Sequence, residues 1–126
     1  MRVLIADDSS IVRGRVASLL TELKEIEIVG EAQDVPATIK SVTRLKPDVV
    51  ILDMQMPGGS GMDVLEKIKE DKPSPIVMMF TNSPYAQCRQ RCMQLGADYF
   101  FDKSTEAEKL LDALLSKSNS EKNILR

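Results

Sequence analysis

The stretch VVILDMQMPGGSG (residues 49–61) decides the fold. Val49, Val50, Ile51 and Leu52 form an apolar run with no polar alternation, the pattern of a strand buried on both faces of a parallel sheet. Asp53 ends that run, and Pro57 with Gly58, Gly59 and Gly61 breaks the chain immediately after it. The strand therefore delivers one carboxylate to a sheet edge and hands over to a loop.

Working outward, four similar runs appear at Val3 to Ala6, Ile26 to Glu31, Ile76 to Phe80 and Ala97 to Phe101. Between them the period becomes helical. Val12, Val16, Leu19, Leu20 and Leu23 make the first stripe, and Ala107, Leu110, Leu111, Leu114 and Leu115 the last; shorter stripes lie at Val35, Ile39, Val42 and at Met62, Leu65, Ile68. A fourth helix is expected to be capped by Ser83 with Pro84 at its first position, and to present Tyr85, Cys88, Cys92 and Leu95 as its apolar stripe. Ser60 suits the cap of the third helix. Strands alternating with helices need right-handed crossovers, which predicts an α/β fold: a doubly wound, five-stranded parallel sheet of order 2-1-3-4-5, flavodoxin-like, with helices on both faces. One domain fills residues 1–116, and Lys117 to Arg126 reads as a short polar, frayed tail.

The chain has 126 residues, 43% hydrophobic and 29% charged, with a formal net charge of −2. That balance suits one globular domain and gives no general attraction for nucleic acid. No apolar run approaches the roughly 18 residues of a membrane span. Val3 to Ala6 is too short for a secretion signal, so a cytoplasmic location is expected. Cys88 and Cys92 are the only cysteines and there is no histidine, which excludes a Cys/His zinc site from one copy and leaves two reduced packing thiols. Met78 and Met79 read as core, and Arg89 and Arg91 as a solvated face.

In open α/β sheets ligands bind beyond the carboxyl ends of the strands. The polar residues there are Asp7 and Asp8 after the first strand, Asp53 after the third, Thr81 after the fourth and Lys103 after the fifth. Each alone has a bland reading: a helix cap, a turn or a solvated charge. Together they point to one site. At about 5 Å and an effective dielectric near 20, each pair of carboxylates repels by roughly 3 kcal/mol. One ammonium does not balance three acids; a divalent cation does. An all-oxygen, partly open site favours Mg²⁺, with Mn²⁺ a workable substitute. Metal, lysine and threonine around a carboxylate form a phosphoryl-transfer constellation.

At this point LIADDS (Leu4 to Ser9), DVVILDMQMPGGSGMDVL (Asp48 to Leu65), TNS (Thr81 to Ser83) and GADYFFDKS (Gly96 to Ser104) can be taken together. Along residues 1 to about 116 the chain resembles the CheY-like receiver domains of two-component response regulators, and the strand order rests on that resemblance as much as on the pattern. The resemblance implies that Asp53 is the phosphoacceptor, taking a phosphoryl group from a sensor histidine kinase or a histidine phosphotransfer protein. It further implies that Asp8, Asp53 and the backbone carbonyl of Gln55 hold Mg²⁺, with Asp7 acting through a metal-bound water. Lys103 would pair with a phosphoryl oxygen. Thr81 would bond another, and Phe100 would rotate inward as Thr81 moves. Gln55 and Ser83 would influence phosphate lifetime.

The helix 4, strand 5 and helix 5 surface would then change for a downstream protein target, and a homodimer formed on phosphorylation is one outcome of such a change. The family's lysine is usually followed by proline, whereas Ser104 stands here and could cap the last helix. The switch aromatic is often tyrosine or histidine, whereas Phe100 has no polar tip. The resulting expectation is a stand-alone signalling switch, not an enzyme, with no direct contact to nucleic acid or membrane; a piece of a longer regulator would read the same. Two alternatives stay open. An aspartyl-nucleophile phosphatase of haloacid-dehalogenase type would usually carry a second acid where Gln55 stands, and a non-phosphorylated receiver-fold interaction module would not need the acids, threonine and lysine.

Overall fold

The computed structural model describes residues 1–82 and 86–124. The cap and first turn expected at Ser83, Pro84 and Tyr85 lie outside these residues. Strands β1 (Arg2–Ala6), β2 (Glu27–Ala32), β3 (Val49–Leu52), β6 (Ile76–Thr81) and β7 (Tyr99–Asp102) form one parallel sheet. Their spatial order is β2-β1-β3-β6-β7, the doubly wound arrangement expected, with the reversal between β1 and β3. Two further strands, β4 (Gln55–Met56) and β5 (Gly59–Ser60), pair antiparallel in a hairpin of their own.

Helices α1 (Ser10–Thr21) and α5 (Ala107–Ile124) pack on one face, where Val16, Leu20, Leu110 and Leu114 meet Val3, Ile5, Ile51 and Met78. Helices α2 (Val35–Leu45), α3 (Gly61–Ile68) and α4 (Ala86–Gln94) cover the other, over Leu4, Val50, Leu52 and Met79. Every residue of β3 is buried, because it runs through the middle of the sheet with a core on each side. No helix among the described residues is long and apolar enough to cross a membrane.

Four local expectations need correction. Leu19 is 42% exposed, not core. The buried face of α1 is turned toward Val16, Leu20 and Ala17, the side on which Arg13 reaches the Asp7 carbonyl at 2.6 Å and Glu31 at 3.0 Å. The fifth run begins at Tyr99 instead of Ala97, because Gly96 (φ 107°) and Ala97 close α4 by donating to the Met93 and Cys92 carbonyls. The segment from Lys117 is helical over its described residues: α5 continues to Ile124, with Ser118 buried one turn beyond Leu114 and the Lys117 ammonium 6.0 Å from the Tyr99 ring centre. No proline or glycine interrupts residues 97–126. Ser104 does not cap α5 either; its hydroxyl donates to Asp102 at 2.6 Å. Ser60 is the N-cap residue of α3, as expected, and its N–H donates to the Asp63 carboxylate at 2.9 Å.

The breakers after Asp53 build the hairpin. Pro57 and Gly58 (φ 86°) form a two-residue turn that needs positive φ at its second position. Gly61 then folds back so closely that a Cβ there would sit 2.2 Å from the Asp53 carbonyl oxygen. Its own N–H donates to the Met54 carbonyl at 2.7 Å.

These two kinds of glycine predict opposite mutational signs. Gly61→Ala is expected to destabilise by about 2 kcal/mol through overpacking against backbone. Gly14→Ala, in α1 with nothing within 4 Å of the added carbon, is expected to stabilise by about 0.5–1 kcal/mol. Urea unfolding of both variants checks the pair.

Candidate functional site

The strand ladders run one step past the strands and so fix the acids. The Asp7 N–H donates to the Ala32 carbonyl and the Asp53 N–H to the Ala6 carbonyl, each at 3.0 Å. The Lys103 N–H donates to the Thr81 carbonyl at 3.0 Å. Three loops are thereby held at neighbouring points of one sheet edge. Lys103 extends its ammonium into that edge, 2.5 Å from Asp7 Oδ2 and 3.1 Å from Asp53 Oδ2, with only 10% of its side chain exposed.

The remaining carboxylate oxygens are also engaged. Asp7 Oδ1 accepts from the Ser9 N–H at 2.9 Å and Asp53 Oδ1 from the Met54 N–H at 2.8 Å. The Thr81 side chain also favours the ionised form of Asp53. Asp7, Asp53 and Thr81 are buried, whereas Asp8 is exposed. Among the described residues no buried side-chain polar atom lacks a partner.

Electrostatically the edge is short of positive charge. Burial pushes the Asp53 carboxyl above the usual carboxylate range; the Lys103 charge pulls the other way, and Asp7 adds to the rise. Asp7, Asp8 and Asp53 each offer a carboxylate oxygen, and the three lie within 4.8 Å of one another. Two buried acids share one ammonium, and a third stands at the surface. That donor set fits a hard divalent cation, since all ligands are oxygens and the exposed member leaves room for water.

Of the residues singled out from the sequence, Asp7, Asp8, Asp53, Thr81 and Lys103 converge here. Gln55 is exposed and opens the hairpin opposite Ser60. Phe100 is 7% exposed and lies in the core on the α2, α3 and α4 face, so its ring is already inside. Sequence reasoning missed Met54. Its N–H serves Asp53, while its sulfur accepts from the Cys92 thiol at 3.3 Å, linking the acid's own peptide to α4. The Cys92 thiol is pushed up to about 11 by burial and by Cys88, which suits a packing residue and not a nucleophile. Gly61 was readable only as a breaker, although a glycine just past the acid is a signal of close backbone approach.

A cavity of about 520 Å³, bordered by Val42, Lys46, Asp48, Lys67 and Ile76, lies among the starts of β3 and β6, at the end of the sheet opposite the acids. It takes no part in this site.

The sequence model described as "Response regulator receiver domain" matches residues 3–115. The chain belongs to this family. The protein-glutamate methylesterase/protein-glutamine glutaminase of Bacillus subtilis (strain 168) is 38% identical over 104 residues, which is 82% of this chain and 29% of that protein. The signal receiver domain of the putative response regulator NarL from Mycobacterium tuberculosis superposes with a TM-score of 0.86 at 26% identity, covering 94% of this chain and 95% of that one. The response regulator domain of Thermotoga maritima CheB gives 0.81 at 27% identity, covering 95% and 94%. This receiver thus spans less than a third of the length of its methylesterase relative, while matching isolated receiver domains almost end to end.

The raised Asp53 carboxyl sets a pH dependence. An acid whose folded value lies above its unfolded one binds its proton more tightly when folded, so its ionisation costs stability as pH rises from about 4 through that higher value. Asp53→Asn removes the cost and leaves Lys103 paired with Asp7. In EDTA at pH 7 the variant should melt a few degrees above wild type, and the gap should shrink toward pH 4. Thermal scans across that range check it; a variant less stable at neutral pH contradicts it.

Proposed function

We propose that this receiver accepts a phosphoryl group on Asp53 from the phosphohistidine of a histidine kinase or histidine phosphotransfer protein. The observation that carries the reading is the Lys103 ammonium lodged between Asp7 and Asp53. In the transfer an Asp53 carboxylate oxygen forms a bond to phosphorus as the phosphorus–nitrogen bond of the donor breaks, and the electron pair leaves with the imidazole. Lys103 stands where negative charge gathers on the transferring oxygens, and the buried Thr81 hydroxyl at the same sheet edge would bond another of them.

Asp8 and Asp53, with the Gln55 carbonyl as a further oxygen donor and Asp7 behind a metal-bound water, would hold Mg²⁺. Bound there, Mg²⁺ would neutralise the excess carboxylate charge and favour the ionised nucleophile. The product carries about −1.5 to −2 charge where −1 stood. Lys103 and Thr81 then face a different charge. Both sit on the chain segments that lead to α4 and α5, so the α4, β7 and α5 surface is the one expected to respond. In this reading the chain turns over only its own phosphate and is a switch, not an enzyme. The exposed amide of Gln55, where an aspartyl phosphatase usually carries a second acid, supports it. The methylesterase activity in the relative's name stays with that protein, because the match covers 29% of its length.

The test uses acetyl phosphate as donor. With Mg²⁺, the chain should gain one alkali- and hydroxylamine-labile phosphoryl group by intact mass; Asp53→Asn should gain none, and Lys103→Ala should slow labelling about 10²-fold. Labelling of Asp53→Asn at the wild-type rate sinks the assignment, and steady hydrolysis of phosphate esters would favour the phosphatase reading.

Mg²⁺ at ten times its dissociation constant should stabilise the chain by about 1.4 kcal/mol. Asp8→Asn should abolish that gain. A melting temperature indifferent to millimolar Mg²⁺ would favour a non-phosphorylated interaction module.

A further inference from the structure

We propose that Asp102, Ser104 and Glu106 are positioning residues for this phosphoryl transfer, acting through a hydrogen-bonded brace that fixes the loop carrying Lys103. The inference rests on Asp53 being the phosphoacceptor. A lysine is a flexible four-carbon stem with a point charge at its tip, and holding that tip on target requires a fixed base. Here the base sits in a connection without proline or glycine, since none occurs in residues 97–126. Rigidity must come from hydrogen bonds.

The two residues flanking Lys103 supply them by bonding to each other across it. Asp102 Oδ1 accepts from the Ser104 N–H at 2.8 Å and from the Ser104 hydroxyl at 2.6 Å. The Asp102 N–H donates to Glu106 Oε1 at 3.0 Å, and the Asp102 carbonyl accepts from the Glu106 N–H at 2.8 Å. Glu106 is itself tied into α5: its carbonyl accepts from the Leu110 N–H at 3.1 Å, and its other carboxylate oxygen takes the Lys109 ammonium at 2.9 Å. Upstream, the Lys103 N–H is held by Thr81. Lys103 is thus pinned on both sides, to β6 through its own amide and to α5 through its neighbours.

None of these three side chains is among the contacts of Asp53. Their role runs through Lys103, and a small displacement of a charged group costs rate steeply. The network also gives the loop a second property. Any shift of Lys103 that follows a change of charge at Asp53 is passed to the first turn of α5 through Asp102 and Glu106, without a hinge.

Ser104→Ala removes the hydroxyl of the brace and Ser104→Thr returns it. With acetyl phosphate and saturating Mg²⁺, Ser104→Ala should form acyl phosphate about two- to tenfold more slowly, Ser104→Thr should restore the rate, and Mg²⁺ affinity should be the same in all three proteins. That split separates positioning from general damage, which would disturb the metal ligands too. A second readout needs no phosphate: hydrogen exchange of the Lys103 N–H should quicken in Ser104→Ala and recover in Ser104→Thr. Wild-type rate and wild-type Lys103 protection in Ser104→Ala overturn the proposal. A wild-type chain that takes no phosphate overturns the phosphoacceptor reading instead, and the exchange measurement then decides the brace by itself.

Discussion

Two buried carboxylates sharing one buried ammonium set the terms for the rest of this molecule. Through Lys103 the loop after β7 reaches across β6 to the ends of β1 and β3. Such a cluster is a poor way to gain stability, because taking each ion out of water costs several kcal/mol and the mutual attraction returns that only when charges balance. Here they do not. The Asp53 carboxyl stays above its ordinary range even with an ammonium at 3.1 Å, since burial and Asp7 together outweigh it. The edge is therefore poised for an incoming positive charge, or for a group that redistributes the negative one.

The two apolar layers supply the stability that the edge lacks. β3 sits between them with all four residues buried, so it cannot slide by one residue without exchanging its entire inner and outer faces. Its register with β1, Ala6 beside Leu52, places Asp7 and Asp53 next to each other. Register on the other side, Leu52 beside Met79, fixes where Thr81 emerges. The site's geometry is thus a by-product of side-chain burial several residues away. The Gly61 turn sets the exit of the chain in the same way, through a contact too close for any side chain.

Features carried by burial were legible in the sequence. All five strands of the main sheet could be read, because apolar runs without alternation have few other uses; their order came as much from the family resemblance as from the pattern. The converging acids, threonine and lysine could be read because strand ends are where such residues have work to do. What escaped was set by contacts between segments. Leu19 belongs to the apolar stripe by spacing alone, but α1 turns Val16 and Leu20 into the core and leaves Leu19 outside it. The helical tail escaped since the burial of Ser118 and the approach of Lys117 to Tyr99 are tertiary features that its polar composition does not announce. The Gln55 to Ser60 hairpin looked like a run of breakers. The Met54–Cys92 contact joins residues 38 apart, beyond any local pattern.

Phe100 then bears on how a charge at Asp53 would be felt elsewhere. Its ring is buried with Met54, Met79 and Cys92 around it, and it has no polar atom to be compensated by water. Any alternative with the ring outside gives up roughly 1.5–3 kcal/mol of burial. A tyrosine would recover part of that through its hydroxyl; phenylalanine does not. The inward arrangement is consequently favoured by packing before any phosphate arrives, and a switch built on the ring alone would have little left to gain. The difference between two states would fall instead on polar contacts whose partners change charge. Those are Thr81 and Lys103, bound to each other through one backbone hydrogen bond, with the Lys103 ammonium on Asp53 and the Thr81 side chain favouring its ionised form. A change at Asp53 would therefore be felt first at these two residues and the backbone hydrogen bond between them.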